Sequence, residues 1–324
     1  MKPGTQRAME TTGSYRTLDP GELAEPGHMG YLDEAQTAKL VAHLDKNGVR
    51  DTQVQADLDY FFEQATPMEK LQGKRWYREA NVETGDIAKK TGLEHDRVIA
   101  ATAALSPQNE WSNNIKQSRS LATLCSEKRK ITVDDGFLDQ IGMRRALMHK
   151  KKGKPSESDI AREQRRAHKE FGKYRGEHTS DTMPAEIMAW TPGFGSTSGS
   201  KNVAKAIRVL RGEVSVDQTL IGPKTRSFYD NMRHPHKPGA VTIDTHQLRA
   251  LTPKVPEGKR SSLFTGGGGA GTYPYYADMI RMAAKRHGML PHEFQAVTWL
   301  VAQRTLGGRM KKGSHRTVNT PEVP

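Results

Sequence analysis

The stretch AVTIDTHQLRAL, residues 240–251, joins a short β-branched run to a helical pattern. The three residues 241–243 favour extended backbone, and Asp244 follows them at the position where a helix would begin. Asp244 with Gln247 forms an Asp-x-x-Gln capping box, which accounts for the aspartate as a helix cap. Because a capping carboxylate can also face a ligand, the pattern leaves a second role for Asp244 open.

The charge of the chain is high and unevenly distributed. The 324 residues carry a net charge of +13, with 35% hydrophobic and 6% aromatic residues. Residues 1–69 hold six basic and twelve acidic side chains, which leaves +19 on the remainder. A region with such a high positive charge usually binds a polyanion, because each phosphate contact releases condensed counterions. We therefore expect a nucleic acid as the partner, with a merely basic surface as the alternative.

The composition argues against several other classes of protein. No run of 18 apolar residues occurs, so we expect no membrane span. The N-terminus lacks the apolar core of a secretion signal, which favours a cytoplasmic protein. A single cysteine, Cys125, excludes an internal disulfide and any four-cysteine cluster, and we expect no disulfide-linked partner. No set of His, Asp and Glu has metal-ligand spacing, so we predict neither a metal nor a cofactor.

Composition and periodicity divide the chain into four regions. Residues 1–30 are a non-periodic lead-in, which we interpret as loosely attached. Residues 31–94 are an acidic helical region, residues 95–310 a helical domain, and residues 311–324 a basic tail. Few strand signals occur. The predicted fold class is therefore mainly α.

Two segments interrupt the helical domain. Residues 144–175 hold twelve Lys and Arg against four acids, which indicates either a solvated helix or loop, or a surface that follows phosphates. Residues 265–271 form a glycine-rich loop, which Tyr273, Tyr275 and Tyr276 follow. Exposed tyrosines could stack on bases, but a surface loop followed by core tyrosines is the simpler interpretation.

Two helices are predicted in detail. In SPQNEW, Ser106 is the expected N-cap and Pro107 the first helical residue. SKNVAKAIRVLRG, residues 200–212, reads as an amphipathic helix whose polar face carries Lys201 and Lys205.

Three short motifs then follow one another: ALSPQ at 104–108, GPKT at 222–225 and IDTH at 243–246. In this order the chain resembles the helix-hairpin-helix DNA glycosylase superfamily, in particular its endonuclease III-like branch. That family carries Leu-Ser-x-Gln, Gly-x-Lys-Thr and Val-Asp-Thr-His at the corresponding places. The similarity covers about residues 95–255. It implies a two-lobed helical glycosylase-like fold and double-stranded DNA as the partner.

The resemblance also implies a role for each matched residue. Asp244 would stabilise the cationic sugar formed as a glycosidic bond breaks, and Lys224 would attack the anomeric carbon and form a Schiff base. Gln108 would fill the space of an extruded nucleotide, and the backbone at Gly222 would hold a phosphate. The active cleft would lie between the lobes, with Gln108 on the opposite wall. The other expected DNA contacts are Asn114, Thr225, His246, Lys201 and Lys205.

The hairpin departs from the family pattern. The family usually reads Leu-Pro-Gly-Val-Gly, whereas residues 219–223 read TLIGP. One glycine is missing, and Pro223 removes a backbone amide donor, which weakens the expected grip on phosphate. The four-cysteine cluster of many endonuclease III-like enzymes is also absent.

Two further functions compete with that of a glycosylase and lyase. The stretches ALSPQNEW and FQAVTWLVAQR are similar in style to actinobacteriophage proteins. Some phage proteins of glycosylase-like fold are thought to hypermodify thymines, in which case the glycosidic bond would survive. A non-catalytic DNA-binding protein that kept the scaffold is the third hypothesis, which the altered hairpin favours.

Overall fold

The fold is known from a computed structural model, which shows that the protein is mainly α, as the sequence predicts. The described residues are 34–107, 109–149, 153–191, 199–256, 260, 263 and 272–306. Within these ranges the chain forms fourteen α-helices, one short 3-10 helix and two strands. No helix in the described part of the chain combines the length and the apolar character that crossing a membrane requires.

The elements follow one another along the chain with mostly short connections. The helices before the first strand are α1 (Glu34–Lys46), α2 (Asp51–Glu63), α3 (Pro67–Thr91), α4 (His95–Leu105) and α5 (Trp111–Glu127). The central elements are β1 (Lys130–Val133), α6 (Asp135–His149), α7 (Glu157–Phe171), the 3-10 helix Gly172–Tyr174, β2 (Gly176–Thr179) and α8 (Ala185–Met188). The last helices are α9 (Gly199–Arg211), α10 (Val216–Thr219), α11 (Pro223–Arg233), α12 (Thr245–Leu251), α13 (Thr272–Arg286) and α14 (Pro291–Leu306).

The contacts divide the chain into two compact units. Unit 1 combines the chain up to Glu83 with the chain from Leu220 onward, and unit 2 is Thr84–Thr219. The first unit is thus discontinuous in sequence, and helix α3 contributes residues to both. Asp244 and Lys224 belong to unit 1.

The core of unit 1 forms where α2, α12 and α13 pack on α14. Its largest fully buried side chains include Leu58, Tyr276 and Phe294. Tyr273 and Tyr275 are also buried, at 6% and 0% exposure, so the interpretation of the tyrosines as core residues is confirmed. The glycine-rich loop 265–271 lies outside the described residues.

A glycine allows the close approach of α3 to α14 within unit 1. A Cβ atom at Gly73 would lie 2.3 Å from Val297 Cγ2 and 2.7 Å from the Val297 backbone nitrogen. Real Cβ atoms do not approach backbone atoms so closely. The helices therefore touch here through backbone, and any larger side chain would force them apart.

Unit 2 is built around α4, in which every residue from Val98 to Leu105 is buried. Helix α4 packs against α5 and α9, and the predicted amphipathic helix α9 directs Val203 and Ile207 inward. Strands β1 and β2 pair antiparallel, with α6 and α7 in the connection between them. The basic insert is therefore largely helical: it begins in α6, runs through α7 and ends before β2.

The predicted helix start at Ser106 is wrong. Ser106 is the C-cap of α4, because its backbone N–H donates to the carbonyl of Ala103 at 3.2 Å. Helix α5 begins at Trp111, with Glu110 in extended conformation as its N-cap. A serine followed by proline fits either end of a helix, since proline also commonly follows a C-cap. Because the buried residues of α4 continue through Leu105, Ser106 ends α4 and does not begin α5.

Candidate active site

Asp244 lies at the N-terminus of α12 and caps it. Its Oδ1 accepts a hydrogen bond from the backbone N–H of Gln247 at 2.8 Å, and its backbone is extended, with φ −118° and ψ −175°. Its Oδ2 accepts a second hydrogen bond, from the indole Nε1 of Trp299 at 3.2 Å. The carboxylate is half-buried and forms no ion pair with any described residue. Asp244 is thus both the cap of α12 and a carboxyl group whose two oxygens are held by two N–H donors.

Only half of the predicted capping box forms. The Gln247 side chain does not return to the Asp244 backbone but turns into the core, where it is fully buried. Its Nε2 donates to the hydroxyl of Thr298 at 3.1 Å, and its Oε1 accepts from Gln295 Nε2 at 3.3 Å. Gln295 in turn accepts from the Tyr77 hydroxyl at 2.9 Å. This buried polar chain fixes the first turn of α12 against α14 and α3.

Tyr273 holds the extended segment that leads to Asp244. Its hydroxyl donates to the carbonyl of Val241 at 2.8 Å and accepts from the backbone N–H of Ile243 at 3.0 Å. The Ser227 side chain of α11 lies beside the same hydroxyl and acts to lower its pKa. Burial raises the pKa of Tyr273 to about 12, so the group remains a neutral donor near neutral pH. One buried phenol therefore links α11 to the residue that precedes Asp244.

Lys224 lies in the first turn of α11, as the sequence predicts. Pro223 begins the helix and Gly222 is its N-cap. The Thr225 hydroxyl donates to the carbonyl of Gly222 at 3.0 Å, so this hydroxyl stabilises the first turn of α11. Lys224 is half-buried, and its amine makes no ion pair or hydrogen bond within the described residues.

Helix periodicity relates Lys224 to Asp244. Lys224 and Ser227 are three residues apart on α11, so they share one face of the helix. Ser227 contacts Tyr273, which binds the backbone of Ile243 next to Asp244. The lysine therefore shares a helix face with Ser227, the residue of α11 that lies beside Tyr273. The two charges form no ion pair with each other.

His246 extends the polar surface beside Asp244. Its ring is half-buried and lies edge-on to Trp299, with 6.2 Å between ring centroids. Its Nδ1 lies 3.5 Å from Nη1 of Arg249, one turn further along α12. Trp299 therefore contacts both Asp244 and His246.

The residues expected from unit 2 have different environments. Gln108 lies outside the described residues. Asn114 is 1% exposed, and its Nδ2 donates to the carbonyl of Thr102 at 3.0 Å, which ties α5 to α4. Lys201 and Lys205 are exposed on the face of α9 opposite its buried stripe. Of these residues, the two lysines are the ones that the structure presents to a polyanion.

Much of the charge in the basic insert is used internally. Arg145 pairs with Glu170 at 2.7 Å, and Arg166 pairs with the buried Glu163 at 2.8 Å. Arg162 and Arg175 also form ion pairs, with Asp159 and Asp135. Arg165 and Lys169 are exposed and without an ion pair among the described residues. The insert therefore offers a polyanion fewer free cations than its composition suggests.

Two residues of this site were not among the predicted site residues. Trp299 lies in the stretch FQAVTWLVAQR, to which the sequence assigned no site role, and Tyr273 was interpreted as a core residue after the glycine-rich loop. One signal was available: Gln295 and Thr298 place polar groups at helical spacing within an otherwise apolar helix. Buried polar groups require partners, so this spacing pointed to a polar network inside unit 1.

The single cysteine is not part of this network. Cys125 is buried in α5 of unit 2, and burial raises the pKa of its thiol to about 11. Across the described residues, no three His, Cys, Asp or Glu side chains converge as metal ligands would.

No curated protein and no solved structure matches the chain. One family model, DUF7178, described as a family of unknown function, matches residues 41–152 and 182–306. The matched segments include α12, α14 and the first turn of α11, and the unmatched residues 153–181 contain α7 and β2. Because the two segments together make up well over half of the chain, the protein belongs to the DUF7178 family.

Proposed function

We propose that the protein is a DNA glycosylase with an associated lyase step, acting on a nucleotide extruded from duplex DNA. The observation that carries this proposal is the environment of Asp244 and Lys224 in unit 1. Each is half-buried, neither is neutralised by an ion pair among the described residues, and Tyr273 connects their segments. Purely structural charges at such depth are usually paired.

Asp244 would act electrostatically. When the bond between C1′ and the base nitrogen breaks, the electron pair leaves with the base and positive charge develops on the sugar. A carboxylate held by two N–H donors needs little reorganisation to stabilise that charge. Trp299 and the first turn of α12 supply the two donors, so they serve as positioning groups.

Lys224 would act as the nucleophile. Its uncharged amine adds to C1′ as the base departs, and one amine proton goes to the base. The C1′–O4′ bond then breaks and O4′ takes the second amine proton, which opens the ring and gives a Schiff base between Nζ and C1′. A proton then leaves C2′ and the 3′ phosphate departs, which completes β-elimination. No cofactor enters these steps.

The DNA partner is supported by charge. The chain carries +13 overall, and Lys201 and Lys205 present an exposed basic face on α9. Each lysine that meets a phosphate would release counterions and strengthen binding at low salt.

The test is covalent trapping on an abasic site. The protein is incubated with a duplex that holds one abasic site, and borohydride reduces any Schiff base to a stable amine. We expect an adduct with the wild type and none with Lys224→Ala. Lys74→Ala, which removes an exposed lysine of α3, is the matched control and should trap as the wild type does. Trapping that survives in Lys224→Ala contradicts the assignment of the nucleophile.

Base release separates the competing functions. Mass spectrometry of the nucleobases should detect free base with the wild type and little with Asp244→Asn, while DNA binding persists. A retained but heavier base would instead indicate hypermodification. Binding without adduct, base release or mass change would leave a non-catalytic DNA-binding protein.

A further inference from the structure

A cavity lies in unit 2 between the last turn of α6, helix α7 and Trp190, which follows α8. Its volume is about 670 Å³. Pockets that bind small molecules usually measure about 300–1,000 Å³, so this cavity has the size of a ligand site. Helix α7 supplies half of the lining residues, and α7 lies outside the segments that match the DUF7178 family. The cavity is therefore a feature of this chain to which the family match assigns no role.

Close packing fixes the walls of the cavity. A Cβ atom at Gly142 in α6 would lie 2.3 Å from the Cα atom of Gln164 in α7, so these two helices touch through backbone. On the third side, Nη1 of Arg144 donates to the carbonyls of Trp190 and Thr191 at 2.7 and 2.9 Å. The walls therefore need little rearrangement to receive a ligand.

Arg145 supplies the cavity with a guanidinium that its neighbours hold in place. Its side chain is 13% exposed, and the guanidinium carbon lies 4.9 Å from the ring centroid of Phe171 and 5.1 Å from that of Trp190. Nη1 donates to Glu170 Oε2 at 2.7 Å, whereas Nε and Nη2 have no hydrogen-bond partner among the described residues. A guanidinium held in this way is suited to bind an oxyanion through two parallel hydrogen bonds.

The cavity keeps an excess of positive charge. Arg166 and Lys169 line it from α7, three residues apart on one face of the helix. Two carboxylates also line it, but Glu170 is paired with Arg145, and Glu163 with Arg166 at 2.8 Å. Lys169 is exposed and has no ion pair within the described part of the chain. Because this cation has no counter-charge, the cavity attracts an anion.

The lining indicates a ligand larger than a bare anion. Trp190 and Met148 place apolar atoms on the wall beside the cations, and a phosphate group alone would fill only a small part of the volume. Apolar walls with a few charged groups are typical of sites for organic ligands, and an aromatic wall suits a flat ring. A nucleotide meets both requirements, because it carries a charged phosphate and a flat base.

We propose that the cavity binds a nucleotide, with the phosphate on Arg145 and Lys169 and the base against Trp190 and Met148. A free mononucleotide and the phosphorylated end of a DNA strand present these same groups, so both are sources of the ligand. The site shares no residue with the candidate active site. It therefore goes beyond the proposed function and is independent of whether a glycosidic bond is cleaved.

The test is calorimetric titration of the full-length protein with deoxyadenosine monophosphate at low salt. We expect saturable binding, and binding at least about tenfold weaker for deoxyadenosine, which lacks the phosphate. Lys169→Gln removes the unpaired cation and should weaken binding of the nucleotide about fivefold. Arg145→Lys keeps the charge but loses the planar fork, and should weaken it about tenfold. Arg165→Gln is the matched control: Arg165 is an exposed cation of α7 outside the cavity lining, so this variant should bind as the wild type does.

Competition identifies the source of the nucleotide. A single strand with a 5′ phosphate that displaces the mononucleotide, when the same strand with a 5′ hydroxyl does not, assigns the site to a strand end. If neither strand displaces it, the ligand is a free mononucleotide.

Three results would overturn the nucleotide site. They are the absence of saturable binding, inorganic phosphate that binds as tightly as the mononucleotide, and an affinity that Lys169→Gln and Arg145→Lys leave unchanged. Thermal melts check that Arg145→Lys is folded, and Lys169→Gln decides alone if it is not, because Lys169 is exposed and forms no ion pair with a described residue. Borohydride trapping reports on Lys224 separately, so failure of the lyase step and failure of the nucleotide site are distinguishable.

Discussion

Replacing Tyr273 by phenylalanine removes one hydroxyl and leaves two buried backbone groups without a partner. The carbonyl of Val241 loses its donor at 2.8 Å, and the N–H of Ile243 loses its acceptor at 3.0 Å. A buried polar group left unsatisfied costs about 1–3 kcal/mol. Two such groups, partly relieved by relaxation of the segment, should cost about 2–4 kcal/mol. We therefore expect Tyr273→Phe to lower the free energy of unfolding of unit 1 by that amount.

Two measurements check this expectation. A urea titration gives the loss of stability, and the slope should stay unchanged because the exposed surface is the same. Amide hydrogen exchange at Ile243 should accelerate, since its N–H has lost the acceptor that protects it. Tyr60→Phe is the control, because Tyr60 is 57% exposed and its loss of a hydroxyl should change stability by less than about 0.5 kcal/mol.

The refuting result is equally specific. If Tyr273→Phe loses less than about 0.5 kcal/mol and Ile243 exchanges as in the wild type, the phenol does not hold the segment before Asp244. Tyr273 would then not connect α11 to the segment that precedes Asp244 either.

Four further perturbations follow from the same contacts. Gly73→Ala should destabilise unit 1 by about 1–3 kcal/mol, because the added Cβ would clash with the Val297 backbone. Gly85→Ala is the control: its Cβ would lie 3.5 Å from His95, an ordinary contact distance, so this change should be neutral or stabilising in a thermal melt. Burial lowers the pKa of His292 to about 4, so between this pH and about pH 6.5 the unfolded chain binds a proton that the folded chain does not. The free energy of unfolding should therefore fall as the pH is lowered from about 6.5 to about 4. His292→Gln should flatten that part of the pH profile in urea titrations. Trp299→Phe removes the donor to Asp244 Oδ2 and should slow base release about tenfold with DNA affinity unchanged; an unaltered rate would show that the indole does not position the carboxylate. Lys201→Gln and Lys205→Gln should each reduce the slope of log affinity against log salt by about 1, whereas Lys39→Gln, exposed on α1, should leave the slope unchanged.

The local features of this protein depend on residues that are near one another along the chain. The mainly α fold, the amphipathic helix α9, the helix that opens before Lys224 and the cap at Asp244 all depend on neighbouring residues, so their spacing was enough to predict them. The start of α5 was predicted wrongly at Ser106, because serine followed by proline fits either end of a helix; Ser106 ends α4, and α5 begins at Trp111.

The surroundings of the candidate site depend on contacts between residues that are far apart along the chain. Trp299 lies 55 residues from Asp244, and Tyr273 lies 30 residues from Ile243. Local spacing carries no information about such contacts, because they depend on how α13 and α14 pack on the rest of unit 1. The same packing turned Gln247 away from the Asp244 backbone and into the core, where Thr298 and Gln295 could satisfy its amide. A buried side chain follows its available partners, and those partners exist only once the chain has folded.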